Sequence, residues 1–110
     1  MILTVGDAGD VKIVRIEGEL NTQTTSDAEA QLTPLIDAGA RKVIVNFERL
    51  AYITSAGLSM LLAAAKQLQV SGGELRVCSV SDLVKEVFDI SGFDSIVSVS
   101  KNEAEARQGF

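Results

Sequence analysis

The alternation of apolar and polar positions divides the chain into short β-type runs and longer helical runs. Runs in which β-branched residues alternate with polar ones are typical of strands, whereas apolar residues three or four positions apart are typical of amphipathic helices. The pattern predicts strands at Ile2–Val5, Val11–Ile16, Lys42–Phe47, Glu74–Cys78 and Ser95–Ser100, and helices from within Thr22–Ser26 to Gly39, over Ala56–Val70, from Ser81 to Gly92 and over Lys101–Gln108.

These segments follow one another in the order β-β-α-β-α-β-α-β-α. From Lys42 onward strands and helices alternate through short links, which requires parallel strands joined by right-handed crossovers. The first two strands are separated by the Gly- and Asp-rich turn Gly6–Asp10 and are expected to pair antiparallel. The sequence therefore predicts a single α/β domain over residues 1–110, with a mixed, mostly parallel sheet of about five strands and about four helices.

Capping residues and apolar spacing predict further details of the helices. Thr24 with Asp27, or Ser26 with Glu29, would each cap the first helix, and the sequence does not decide between them. The last helix is short and polar, so we expect it at the periphery. In the helix after Ser81, the predicted buried stripe consists of Leu83, Val84, Val87 and Phe88.

The junction Tyr52–Leu58 is where an apolar run stops and the strongest helical pattern begins. Thr54 and Ser55 stand at this junction. The first N–H groups of a helix have no partner within the helix, so a hydroxyl there either caps the helix or accepts a phosphate that the helix dipole favours. In α/β folds the edge where strands end and helices begin is also where functional sites occur. Ser55 is therefore either an N-cap or a phosphoacceptor.

The helix that follows this junction has an unusually small and uncharged face beside its core positions. The core positions are Leu58, Leu61, Leu62, Ala65 and Leu68, and the face beside them carries Ala56, Met60, Ala63, Ala64 and Gln67. A solvated helix face normally carries more charge. Either the rest of the protein covers this face, or the face docks another protein through an accessible methionine.

Composition argues against several classes of function. The chain has no histidine, and it lacks the Gly-x-Ser-x-Gly motif and the glycine-rich nucleotide motifs, so we expect no catalytic residues, no metal and no cofactor. The net charge of −5 argues against nucleic acid or an anionic membrane as a partner. The one cysteine, Cys78, lies in an apolar strand, so we expect a buried, unreactive thiol and a cytoplasmic protein. No segment has the pattern of a signal peptide or membrane anchor.

Several segments also match a known family in their order and spacing. They are Gly18-Glu19-Leu20-Asn21, Val43-Ile44-Val45-Asn46-Phe47, Ser55-Ala56-Gly57-Leu58, Gly72-Gly73-Glu74-Leu75 and Val87-Phe88-Asp89-Ile90-Ser91-Gly92-Phe93. Taken together, they resemble the STAS domain family, which contains the bacterial anti-sigma-factor antagonists. The resemblance covers nearly the whole chain.

The resemblance implies a phosphorylation switch. In this family the unphosphorylated antagonist binds a serine-kinase anti-sigma factor, which has a histidine-kinase-like ATPase fold and brings the ATP. The kinase phosphorylates the serine of an Asp-Ser-Ser/Thr-Gly motif, which ends the binding, and a PP2C-type phosphatase reverses the reaction. The acceptor corresponds to Ser55, with Thr54 as an alternative hydroxyl. Thr54 stands at the Asp position of the motif, Ala56 at the second hydroxyl and Gly57 at the glycine, and Asn21 also stands where family members often have Asp.

We expect a partner to bind around this helix start and along the small-residue face. The expected contact residues are Asn21, Thr22, Thr54, Ala56, Gly57, Leu58, Met60 and Ala63. Two other functions stay open at this point: a STAS accessory subunit of an ABC-type lipid transporter, and a STAS scaffold module in a signalling complex. Enzymatic activity is not expected.

Overall fold

A six-stranded sheet organises the chain, and the computed structural model describes all residues, 1–110. The strands are β1 (Ile2–Ala8), β2 (Val11–Leu20), β3 (Lys42–Asn46), β4 (Leu50–Ile53), β5 (Glu74–Cys78) and β6 (Ser98–Ser100). The helices are α1 (Thr22–Asp37), α2 (Ser55–Val70), α3 (Asp82–Ser91) and α4 (Glu103–Arg107), with a 3-10 turn at Phe93–Ser95.

The strands lie in the order β1-β2-β3-β5-β6, and β4 pairs with β2. Only β1 and β2 are antiparallel, and the remaining pairs are parallel, which confirms the mixed, mostly parallel α/β fold. The structure adds β4 to the predicted order, since no strand was predicted between Phe47 and Thr54. The predicted last strand, Ser95–Ser100, is shorter, because its first part forms the 3-10 turn.

The second strand, β2, is longer than predicted and has two halves. Its beginning pairs with β1 through a tight hairpin: Ala8 pairs with Val11, so the turn is only Gly9 and Asp10, and Gly9 has a φ of +65° that favours glycine. Its first half also pairs with β3, whereas its last residues, Gly18–Leu20, pair with β4. The predicted loop Gly6–Asp10 was therefore too long. The C-terminal end of β2 continues past its pairing with β3 and pairs with β4 instead.

The two faces of the sheet are covered unequally. Because side chains alternate along a strand, Val43 and Val45 face a large apolar core under α1, α2 and α3, whereas Ile44 faces α4. All three side chains are fully buried, so β3 is a central strand covered on both faces. The expectation of a peripheral last helix is wrong, because Ala106 of α4 is buried against the second face.

Candidate functional site

Two helices begin side by side at the end of the β2–β4 pair. Leu20, the last residue of β2, pairs with Ile53, the last residue of β4. Thr54 then donates its backbone N–H and its hydroxyl to the Leu20 carbonyl oxygen, over 2.9 and 3.0 Å. Asn21 and Thr54 are the N-cap residues of α1 and α2, so the two helix N-termini are fixed next to each other.

Asn21 caps α1 with its side chain. Its Oδ1 accepts hydrogen bonds from the backbone N–H groups of Gln23 and Thr24, and Thr24 Oγ1 accepts one from the Asn21 N–H. This is a capping box in which threonine takes the place of the usual Glu or Gln. Both cap pairs predicted from the sequence, Thr24 with Asp27 and Ser26 with Glu29, are therefore wrong. The signal was present, since asparagine is among the best N-cap residues.

Ser55 is the first residue of α2, and its side chain is exposed. It is not the N-cap, because Thr54 occupies that position, so the alternative that Ser55 merely caps the helix is wrong. The Thr54 hydroxyl is occupied by Leu20, whereas the Ser55 hydroxyl makes no hydrogen bond within the protein. Of the two hydroxyls at the junction, Ser55 is the more available one.

The surroundings of Ser55 favour added negative charge. Neither α1 nor α2 has an acidic residue in its first turn, and no side chain caps the start of α2. The N–H groups at a helix start carry a partial positive charge and attract anions such as phosphate. A phosphate on Ser55 would therefore lie beside two helix N-termini and no neighbouring first-turn carboxylate.

Gly57 allows α2 to approach the strand ends closely. A Cβ atom at this position would lie 2.7 Å from Ile53 Cγ1 and 3.1 Å from Leu20 Cβ, closer than atoms normally pack. Gly57 and the neighbouring Leu58 are both buried. The expectation that these two residues contact a partner is therefore wrong for their side-chain positions, which pack inward and hold Ser55 in place.

Met60 is buried as well, with 4% of its surface exposed. It lies in the main core, where it lines the same small crevice between α1 and α2 as Leu32, Thr33 and Ala64. The expectation of an accessible methionine is wrong because α1 covers this face of α2. Of the expected contact residues, Thr22 and Ala63 are exposed, and Asn21, Thr54 and Ala56 are partly exposed.

Sequence analysis missed three exposed apolar side chains on α3 and β4. Helix α3 packs beside β4. Leu83 and Ile90 on α3 are 50% and 81% exposed, and Tyr52 on β4 is 44% exposed. The predicted burial of Leu83 is therefore wrong, whereas Val84 and Phe88 are buried as predicted. The sequence did carry a signal, because the apolar residues of α3 occupy more of the helix circumference than the one side that packs against the core.

Acidic groups cluster at the end of α3. A hydrogen bond with the Asp94 side chain raises the pKa of Asp89, and burial and the Asp94 charge act in the same direction. No three His, Cys, Asp or Glu side chains converge in a way that could hold a metal ion. None of the helices combines the length and hydropathy that crossing a bilayer requires.

The sequence model of the STAS domain matches residues 4–106. The chain belongs to the STAS domain family. BtrV of Bordetella bronchiseptica is 39% identical over 110 residues, which span all of this chain and 95% of BtrV. The anti-sigma-B factor antagonist of Staphylococcus aureus is 33% identical over 88 residues, covering 80% of this STAS domain and 82% of that protein.

A solved relative has the same fold. The anti-sigma factor antagonist SpoIIAA in its unphosphorylated form superposes with a TM-score of 0.82 at 26% identity, covering 96% of this STAS domain and 92% of that chain. The phosphorylated form of SpoIIAA from Bacillus superposes with a TM-score of 0.75 at 25% identity, covering 97% of both chains. The fold of this STAS domain is therefore the fold of anti-sigma factor antagonists.

Proposed function

We propose that this STAS domain is an anti-sigma factor antagonist that is switched by phosphorylation of Ser55. The observation that carries the proposal is an exposed serine whose hydroxyl has no partner in the protein, at the point where two helix N-termini meet. The names of its relatives support the same function. SpoIIAA has been solved with and without phosphate, so a relative with this fold accepts the modification.

The proposed partner is a serine-kinase anti-sigma factor that binds the unphosphorylated form. Its docking surface would combine the polar start of α2 with the exposed apolar side chains of Tyr52, Leu83 and Ile90. Apolar side chains at the centre of an interface supply most of the binding energy, and a neutral serine can be buried beside them at low cost.

Phosphorylation would end this binding without unfolding the STAS domain. A phosphoserine carries about −1.5 to −2 charges at neutral pH. Within the domain, the two helix N-termini stabilise that charge. In the complex, the same charge would have to be buried in a surface that accommodates a hydroxyl, which is costly without a matching cation. The kinase would supply the ATP, a PP2C-type phosphatase would reverse the switch, and the exchange would take place in the cytoplasm.

Intact-mass measurement after incubation with a cognate anti-sigma kinase and ATP tests the proposal. We expect wild type and Thr54→Val to take up one phosphate each, and Ser55→Ala to take up none. Undiminished phosphate uptake by Ser55→Ala would contradict the assignment, and loss of uptake in Thr54→Val alone would move the acceptor to Thr54.

Calorimetric titration with the same kinase tests the switch itself. We expect the phosphorylated protein and Ser55→Asp to bind at least about tenfold more weakly than wild type, since an unpaired charge in an interface costs more than 1.4 kcal/mol. Ser59→Asp is the matched control, because Ser59 is also exposed on α2 but lies one turn further along the helix. Equal affinity of Ser55→Asp and wild type would contradict the switch.

A further inference from the structure

The second face of the sheet is closed by a single short segment, residues 101–110, which we name the C-terminal strap. The apolar patch beneath it consists of Val11, Ile13, Ile44 and Cys78. The only fully buried side chain that the strap contributes to this cluster is that of Ala106, with Phe110 partly buried at its edge. The strap therefore gains little from apolar burial compared with the helices on the opposite face.

The helix within the strap would not be stable as an isolated segment. Helix α4 has five residues. Isolated helices shorter than about 12 residues are not stable in water, because the free-energy cost of forming the first turn exceeds the gain from their few hydrogen bonds. Its contacts with the sheet must therefore hold it in place.

Those contacts are mainly polar. The Arg15 guanidinium donates two hydrogen bonds to the Glu103 carboxylate, over 3.0 and 3.1 Å, and Asn46 donates a further one to the same carboxylate. Arg76 donates to the carbonyl oxygens of Ala106 and Gln108, over 2.8 and 2.7 Å. Charge-assisted hydrogen bonds of this kind are strong while they are closed, but water replaces them when they open.

Arg76 also fixes the chain end. Its guanidinium carbon lies 4.0 Å from the centre of the Phe110 ring, and its Nε donates to Glu74 over 2.9 Å. Two arginines, Arg15 and Arg76, thus hold the two ends of the strap. Neither arginine belongs to the main core on the other face of the sheet.

We propose that the C-terminal strap opens as a unit while the rest of the domain stays folded, and thereby uncovers the apolar patch on the second face. Segments with few buried apolar contacts open at lower free energy than the core. The patch would then be covered in one state and exposed to solvent in the other.

Cys78 is a built-in reporter of this opening. It is the only cysteine of the chain, it is fully buried, and it lies in the patch under the strap. A small aromatic disulfide reacts with an exposed thiolate and releases a coloured aryl thiolate, so the labelling rate under native conditions measures how often Cys78 becomes accessible. We expect wild type to be labelled faster than global unfolding allows, with a rate that hardly changes at low urea concentrations.

Two variants test which contacts control the strap. Arg76→Gln and Glu103→Gln each remove one set of closing contacts, and we expect each to raise the labelling rate at least about tenfold while the urea midpoint of global unfolding changes little. Arg49→Gln is the matched control, because Arg49 pairs with Glu17 and makes no contact with the strap. Its labelling rate should equal that of wild type.

Two outcomes would overturn the proposal. One is a wild-type labelling rate with the same steep urea dependence as global unfolding, which would mean that Cys78 is exposed only when the whole domain unfolds. The other is unchanged labelling in both strap variants. If a variant also lowers global stability, the urea dependence of its labelling rate still separates opening of the strap from global unfolding.

Discussion

Thr54 donates both its N–H and its hydroxyl to one acceptor, the carbonyl oxygen of Leu20. Leu20 ends β2 and is followed by Asn21, the N-cap of α1, and Thr54 is the N-cap of α2. The pair therefore joins the starts of two helices through the backbone of one residue. The position of Ser55 depends on this junction more than on any contact of its own.

Removing the Thr54 hydroxyl should weaken the junction without destroying it. We expect Thr54→Val to lower the free energy of unfolding by about 1 kcal/mol, because the hydroxyl hydrogen bond is lost while the backbone one stays. Urea unfolding measures the change. Thr54→Ser keeps the hydroxyl and should lie closer to wild type. If Thr54→Ser is as unstable as Thr54→Val, the threonine methyl and not the hydrogen bond is responsible.

Adding a methyl group at Gly57 should force α2 away from the strand ends. We expect Gly57→Ala to lose about 1–3 kcal/mol of stability, since the new Cβ would overlap with the buried Ile53 side chain. Alanine is the better helix former, so helix propensity alone predicts the opposite sign. Ser59→Ala, on the exposed face of the same helix, is the control and should be neutral or slightly stabilising. A stabilised Gly57→Ala would show that the contact with Ile53 relaxes freely.

A charge at position 60 should destabilise the domain, not merely block a partner. We expect Met60→Glu to cost at least about 3 kcal/mol, because a carboxylate would be placed between α1 and α2 without a cation. Met60→Leu should cost less than about 1.5 kcal/mol. Ala63→Glu, on the exposed side of the helix, should stay within about 0.5 kcal/mol of wild type. Urea unfolding of the three variants measures these changes. A Met60→Glu variant as stable as wild type would mean that this face of α2 is accessible to solvent.

The acidic pair at the end of α3 should give a pH-dependent loss of stability. The pKa of Asp89 is raised in the folded protein, so the folded state binds the proton more tightly than the unfolded state does. Stability therefore decreases as the pH rises from the unfolded pKa through the folded one, and the loss is complete at neutral pH. Asp89→Asn should have a higher Tm than wild type at pH 7, and the difference should vanish at about pH 3.

Variants at the partner carboxyl separate this cause from others. If the pair is responsible, Asp94→Asn alone should raise the Tm at neutral pH as Asp89→Asn does, and the double variant should add little. Additive increases would mean that each carboxylate is destabilised by different neighbours.

The order of the elements was predictable because each long segment carries its own signal. The β-branched run Val43–Val45 indicates a strand covered on both faces, Ser81 caps α3, and Gly92 ends it with a φ of +74°. Strand β4 was not predictable in this way. Leu50–Ile53 has no alternating pattern, and only its pairing with the far end of β2 makes it a strand.

The buried or exposed state of the site residues was harder to predict. Helix α2 is apolar and small-sided over most of its circumference, so its own sequence does not say which side α1 covers, and Met60 was placed on the wrong side. Helix α3 shows the opposite case, because Leu83 and Ile90 are apolar but remain 50% and 81% exposed. In both cases the missing information is which other element packs against the helix.

The junction between Leu20 and Ile53 also bears on how such a domain can diverge. Backbone pairing of β2 with β4 sets where both helices start, and Asn21 and Thr54 add side-chain hydrogen bonds, so the geometry around Ser55 does not require an acidic residue at either position. Duplicated copies of the gene could exchange acidic, amide and hydroxyl side chains there and still present a serine at the same point. Under the proposed switch, recognition by different kinases would evolve at these two positions while the architecture is inherited unchanged.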